Sequence, residues 1–404
     1  MRKSPLLPIF LIVLVDILGY TIILPLLPFY SERLGASPFV VGWLISTYAI
    51  CQLVSGPIIG SLSDRMGRRP LLIVSQVGTL IGFLILSQAT SLWVIFLSRI
   101  IDGATAGNLS LAQAYIADVT EPHKRAQSFG VIGIAFGLGF LVGPAISGFL
   151  AGFGYAYPIY AAAALSATSI LCTWALLPQV TPGEAGSAGE TGPGGRRLGL
   201  LEWSRYVEYF RRPGLRELLL EFFLFAICFS SFTSGFALFA ERRFAWQGHA
   251  FGAKEVGYVF AYVGFLGVIL QGGLIGRLVK WLGEPKLVKS GFLCTAIGYA
   301  GLGFIHRIPE LLAISAVASY GTGVLRPAVT SLITQRASRQ EQGVVLGLTQ
   351  SLTSIAQIVA PLLSGFLIGK DWLAAWALFA GGIAFCGFLL STVPTGVPVD
   401  KTTA

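Results

Sequence analysis

Twelve stretches of roughly 20 mostly apolar residues follow one another along the 404-residue chain, and that length is what about 30 Å of hydrocarbon demands of a helix rising 1.5 Å per residue. They run from Leu6 to Phe29, Phe39 to Leu62, Leu71 to Ala89, Trp93 to Ile116, Gln127 to Leu150, Tyr157 to Leu177, Leu215 to Phe239, Val256 to Val279, Leu287 to Ile305, Leu311 to Ile333, Val344 to Ile368 and Trp372 to Val393. We number them spans 1 to 12. Backbone crossing lipid must satisfy its own hydrogen bonds, so such stretches become helices. The chain therefore reads as an all-α membrane protein. Composition agrees: 54% of residues are hydrophobic and 12% charged, about half the charged fraction of an ordinary soluble domain, which excludes a soluble enzyme. The 50 glycines and 20 prolines lie inside the apolar stretches, where small residues let helices approach and neighbours re-satisfy carbonyls freed by proline.

Orientation follows from the basic residues. Placing both termini in the cytoplasm puts 20 of the 28 lysines and arginines on that side, the bias expected of cytoplasmic loops. Arg99 and Arg326 fall within spans. The net charge of +9 is thus a topology signal, and no nucleic-acid partner is expected, because no solvated basic face tracks phosphates. Short loops and a long first span, whose Leu24-Pro-Leu-Leu-Pro28 is no small-residue cleavage site, suit a multi-pass protein of a bacterial cytoplasmic (inner) membrane. Cys51, Cys172, Cys228, Cys294 and Cys386 fall in predicted spans without metal spacing, which points to buried packing.

The chain repeats internally. Gly143-Pro-Ala-Ile-Ser-Gly-Phe-Leu150 aligns with Ala360-Pro-Leu-Leu-Ser-Gly-Phe-Leu367 at an offset of 217, with five identities in eight, and Gly60 to Gly67 aligns with Gly276 to Gly283 at an offset of 216. Two pseudo-symmetric six-helix bundles follow, residues 1–177 and 215–404, with residues 178–214 as a cytoplasmic linker. Parallel repeats of this kind are a secondary-transporter architecture, with substrate held near the midplane between them. Within the linker, Pro178 to Arg197 lacks any apolar period. Leu200, Trp203, Val207 and Phe210 then recur at three- to four-residue spacing, which fits either an amphipathic helix on the inner membrane face or a polar connection with incidental spacing.

Three groups of residues carry the functional reading. In the turn after span 2, Gly60-Ser-Leu-Ser-Asp64-Arg65-Met-Gly67-Arg68-Arg69-Pro70, glycine permits a tight turn and Asp64 suits a neighbouring helix N-terminus; Arg65 and Arg69 serve the positive-inside bias. On span 5, Gly133, Gly137, Gly139, Gly143, Pro144 and Gly148 form either a sliding surface or a close static contact. Deep in the spans, Asp16 on span 1 needs a partner or water, which makes it a candidate proton carrier. Asp102 and Arg99, three residues apart on span 4, share a face. They form either a structural ion pair or, through Asp102, a second proton site.

These residues resemble a known family. The turn at Gly60 to Pro70 is similar to the signature loop of the major facilitator superfamily, and the resemblance implies a fold of 12 transmembrane helices in two bundles. It places the helix facing Asp64 as span 11, beginning near Gly343, and pairs the arginines with Asp118. Gly60, Asp64, Arg65, Gly67, Arg68 and Asp118 would then act as a conformational latch. Asp16-Ile-Leu-Gly19-Tyr20 and the run from Arg99 to Leu150 resemble the drug/proton antiporter branch, in particular tetracycline/proton antiporters, where the span 5 series is the antiporter motif. That branch implies acidic and histidine groups in spans 8 and 9 for tetracycline exchange. Spans 8 and 9 hold none here, so exchange of metal-chelated tetracycline is not expected.

Arg326, in Tyr320-Gly-Thr-Gly-Val-Leu-Arg326-Pro327 on span 10, stands where the family pattern has an apolar residue. A buried arginine needs an anionic partner: Asp16 or Asp102 across the cavity, or an anionic substrate group. Further candidates for the cavity are Tyr20, Gln52, Arg99, Asn108, Gln113, Phe136, Phe232, Tyr262, Gln271, Tyr320, Gln350 and Gln357, although an interhelical bond or a core position suits each of them singly. Glu221 is expected to snorkel at the start of span 7, and Glu241, Arg242 and Arg243 to anchor its far end.

No phosphate loop and no metal-ligand spacing of the three histidines is present, and a membrane enzyme would need catalytic groups clustered at one depth. A receptor or scaffold of the same fold would need no protonatable midplane group. The expected function is secondary active transport: proton-coupled efflux of amphipathic drug-like or organic compounds by alternating access. The proton gradient supplies the energy and no cofactor or metal is required. Expected partners are a small-molecule substrate, protons and the lipid bilayer, with the protein a monomer. Uniport or symport of an organic anion or metabolite, and flipping of a linked lipid, remain the alternatives.

Overall fold

The computed structural model describes residues 6–119, 125–178, 208–337 and 341–393. Its helices are α1 (Leu6–Arg33), α2 (Pro38–Met66), α3 (Arg68–Ser87), α4 (Leu92–Thr105), α5 (Asn108–Val119), α6 (Arg125–Ala151), α7 (Ala156–Leu176), α8 (Leu215–Arg243), α9 (Ala253–Ile269), α10 (Ile275–Leu282), α11 (Glu284–Gly301), α12 (Ile308–Arg336), α13 (Gln342–Gly369) and α14 (Leu373–Thr392). A π-helical turn, Leu270–Leu274, joins α9 to α10. Among the described residues, 10 helices are long and apolar enough to cross a membrane, with α9 through α10 taken as one. The other two predicted spans are also helical: span 9 is α11, which opens on Glu284, Lys286 and Lys289, and span 4 is divided between α4 and α5.

That division departs from the continuous helix the apolar run predicts. The chain leaves α4 at Ala106–Gly107, and Ser75 on α3 explains how the break is tolerated: its hydroxyl accepts from the Gly107 N–H at 2.9 Å and donates to the Thr105 carbonyl at 2.5 Å. Backbone groups freed inside a membrane protein are thereby satisfied. A second departure, from an all-α chain, is a two-residue hairpin after α8: β1 (Ala245–Trp246) pairs with β2 (His249–Ala250) through a turn with Gln247 and Gly248 at positive φ. The linker helix expected at Leu200, Trp203 and Val207 lies outside the described residues, and residues 208–211 form one helical turn. All five cysteines are free; Cys228 is buried, but Cys386 is exposed on α14, contrary to the buried role expected of it.

The repeat is visible in backbone geometry. Gly67 between α2 and α3 has φ 94°, and Gly283 between α10 and α11, its partner in the repeat, has φ 75°. Only glycine takes up such a turn without strain.

Helices of the first half, α1 to α7, pack mainly on one another, notably α1 on α6 and α7, and α3 on α4 and α7. In the second half α11 packs on α12 and α14, and α8 on α13 and α14. Two pairs carry the main contact between halves, α2 with α13 and α6 with α9. Both are tight at the end of the molecule that bears the α1–α2 turn. A Cβ at Gly42 would lie 2.5 Å from the Pro361 carbonyl, one at Gly365 2.3 Å from that of Pro38, and one at Gly257 2.7 Å from that of Pro144. Toward the opposite, α2–α3 end the glycines of α2 and α13, and those that follow α9, are uncrowded. Among the described residues, a Cβ at Gly56 on α2, Gly347 on α13, or Gly272 and Gly276 after α9 would meet nothing within 4 Å, and α10 has no buried residue.

Candidate functional site

Asp16 lies a little to the α2–α3 side of the middle of α1 and is half-buried. The Asn108 amide donates a short hydrogen bond to its carboxylate. Asn108 is the first residue of α5, so the break held by Ser75 brings this amide to the carboxylate. A half-helix N-terminus aimed at an anion inside the membrane is a recurrent transporter device. The Asn108 Oδ1 is buried without a partner among the described residues.

The other predicted carboxylate has a different setting. Asp102 and Arg99 are 5% and 6% exposed and pair at 3.4 Å, with Thr79 close to the Asp102 carboxylate. The two side chains pair as their spacing on one face predicts, and burial withdraws Arg99 from the cavity lining expected of it. Asp102 stands near enough to Asp16 for the two carboxylates to repel. Tyr20, 40% exposed, faces the same region. The Gln52 amide donates to the Tyr48 hydroxyl at 3.4 Å, and Tyr48, which the sequence pattern did not single out, lies within electrostatic reach of Asp16, Asp102 and Arg99.

Arg326 on α12 pairs with neither Asp16 nor Asp102, contrary to one expectation: those carboxylates take Asn108 and Arg99 of their own half, and the guanidinium rests on a ring instead. It is exposed, and its guanidinium lies 4.6 Å from the centroid of the Phe136 ring on α6, in the other half. Contact with α6 places the guanidinium at the boundary between the halves. No carboxylate pairs with it among the described residues. A cation–π contact contributes about 0.5–2 kcal/mol, less than the ~2.5–3.5 kcal/mol that insertion scales assign to an arginine at a helix centre. Water, or an anion, must supply the rest.

The remaining candidates divide. Phe232 is 6% exposed, stacks on Tyr299 at 4.8 Å and packs against Phe236 and Phe260; it is a core aromatic and not a cavity residue. Gln52, Gln113, Phe136, Tyr262, Tyr320, Gln350 and Gln357 are half-buried, with the Tyr320 hydroxyl 3.1 Å from that of Ser290, and Gln271 is exposed in the π-helical turn. Glu221 is 4% exposed, which corrects its expected snorkelling, and sits within electrostatic reach of Glu217 and Lys289.

In the turn after α2, Gly60 is buried and Asp64 and Arg65 are exposed. Arg68 pairs with Asp64 and donates to the Ser63 hydroxyl at 2.6 Å. The side chain of Asp118, its expected partner, lies outside the described residues, as do the surroundings of Gly133 and Gly343. The span 5 series serves two surfaces instead of one. Gly139 and Gly143 meet Ile17 and Thr21 of α1, within the same half, where the Thr21 hydroxyl donates to the Gly139 carbonyl at 2.9 Å. Gly148 and the Pro144 carbonyl meet Gly257 of α9 across the halves, and Gly137 faces Val268 at 3.6 Å. At the α1–α2 end, Arg242 of α8 pairs with Glu32 of α1 at 2.6 Å and with the adjacent Glu241 at 3.2 Å, so Arg242 ties the halves together. No local pattern signals a pair 210 residues apart.

Comparison with known proteins gives this arrangement a context. The family model described as Major Facilitator Superfamily matches residues 9–308 and 274–403. The chain is 29% identical to the tetracycline resistance protein, class B, of Escherichia coli, over 94% of this chain and 92% of that protein. It is 28% identical to multidrug resistance protein 2 of Bacillus subtilis (strain 168), over 94% of each. Among solved structures, the human organic anion transporter MFSD10 superposes with a TM-score of 0.71 at 24% identity, covering 96% of this chain and 98% of that one, a likeness of fold.

Proposed function

The chain belongs to the major facilitator superfamily, a family of transporters and not enzymes, and on that premise we propose that it exports amphipathic organic compounds in exchange for protons. Asp16 carries the reading. It is a half-buried carboxylate within a transmembrane helix, held by Asn108 at the N-terminus of a broken helix and set close to Thr79 of α3 and Ser166 of α7 within the first half. Its charge is costly there, so gain and loss of a proton bias which of two packings is stable. The distribution of basic residues supports taking the α1–α2 end as the outer face. On that assignment the packing is sealed outside and open inside, the state from which an exporter loads cargo. A proton arriving from outside neutralises Asp16, weakens its hold on Asn108 and favours the switch; release of the proton inside resets it. The tetracycline and multidrug resistance names of the relatives fit efflux.

Reconstitution tests this reading. In proteoliposomes with a pH-sensitive dye, a multidrug panel is expected to drive proton movement with the wild type, and Asp16→Asn to abolish proton movement while leaving substrate counterflow. Undiminished proton movement in Asp16→Asn would refute the role of Asp16.

A further inference from the structure

Resting on the transport reading above, we propose that Arg326 anchors an anionic group on the cargo and that Phe136 holds a planar apolar body beside it. The substrate class is an aromatic organic anion. Three observations converge. First, Arg326 is exposed yet touches α6 of the opposite half, so its guanidinium borders the space that must open and close in a transport cycle. Second, no acidic side chain among the described residues pairs with it: Asp16 takes the Asn108 amide, Asp102 takes Arg99, and Glu221 lies by Lys289 toward the α2–α3 end. Third, a guanidinium resting on a ring keeps its planar fork of N–H donors along the edge, the geometry that grips a carboxylate with two parallel hydrogen bonds, while the ring offers a stacking partner.

Depth supports the assignment. Arg326 and Asp16 both lie a little to the α2–α3 side of their helix centres, on opposite halves, and the repeat sets Arg326 close to the counterpart of Asn108. Asp16 lies among helices of its own half, whereas the Arg326 guanidinium crosses to α6 and pairs with no carboxylate among the described residues. A cargo with one anionic end meets a favourable pole at Arg326. A static staple between α6 and α12 would use the same cation–π contact but would give no preference for anions.

Equilibrium binding to the purified full-length chain in nanodiscs, without any gradient, separates the two. The probes are 2-naphthoate and its methyl ester, which differ in charge and share the ring. The wild type is expected to bind the acid at least about tenfold tighter than the ester. Arg326→Gln should erase that preference with ester binding unchanged, Arg326→Lys should keep part of it, and Phe136→Leu should weaken both probes. Equal binding of acid and ester by the wild type, binding of neither, or a preference that survives Arg326→Gln would overturn the proposal. The wild-type comparison decides even where a variant does not fold. Binding here requires no proton flux, so failure of the coupling assay would leave this result standing.

Discussion

The two ends of the same helix pairs are built from the same residue and packed in opposite ways. At the α1–α2 end, glycines of α2, α6, α9 and α13 bring backbones of the two halves so close that a single Cβ would collide with a carbonyl. At the α2–α3 end, Gly56, Gly347, Gly272 and Gly276 face open space. Tight packing accounts for the first set in this structure; nothing in this structure accounts for the second. If the halves rock, the second set is what the opposite state requires. Glycine on both ends of one pair then marks a contact that is made alternately, since packed interfaces shift between discrete arrangements and do not stretch.

Substitutions at the sealed end should have the largest effect. Gly257→Leu places a side chain into the backbone of α6 near Pro144, an overpacking that costs ~1–3 kcal/mol. Transport should fall to background, and a cysteine at Ser46, whose hydroxyl bonds the Ile358 carbonyl across the halves at 2.7 Å, should react with an impermeant thiol reagent from the α1–α2 side. Unchanged transport would break the comparison. Gly347→Leu at the open end should leave the melting temperature unaltered, because space is present, yet block turnover by obstructing closure. A protein destabilised but still active would contradict it.

A smaller effect is expected from charge. Glu32→Gln or Arg242→Gln removes a partly exposed tie between α1 and α8, of a kind that contributes about 0.2–1 kcal/mol. The sealed population should fall by no more than about fivefold, since ~1 kcal/mol corresponds to that factor, as read from distances between spin labels on α1 and α8. High salt should mimic the substitution, because screening weakens exposed pairs. A salt-insensitive distance distribution would remove this pair from the account.

How much of this was legible beforehand depends on the range of the interaction. Hydrophobic length and small-residue repeats are local, so the spans, the repeat and the turn at Gly67 could be read from the chain. Asp16 could be singled out because charge inside a span is costly wherever its partner lies. The break before Asn108 could not, since Ser75 on another helix is what makes it tolerable. Nor could the fate of Phe232 and Arg99, which differ from cavity residues only in which way their helix face turns. Glu221 looked like an interfacial side chain by position, and it is packing by α8 that buries it.

Substrate-driven proton movement, compared between the wild type and Asp16→Asn in the same proteoliposomes, tests the central claim most directly. The account predicts proton movement that follows substrate in the wild type and none in Asp16→Asn, with substrate counterflow preserved in both. Equal proton movement in the two, or counterflow in the wild type with no proton movement at all, would contradict it.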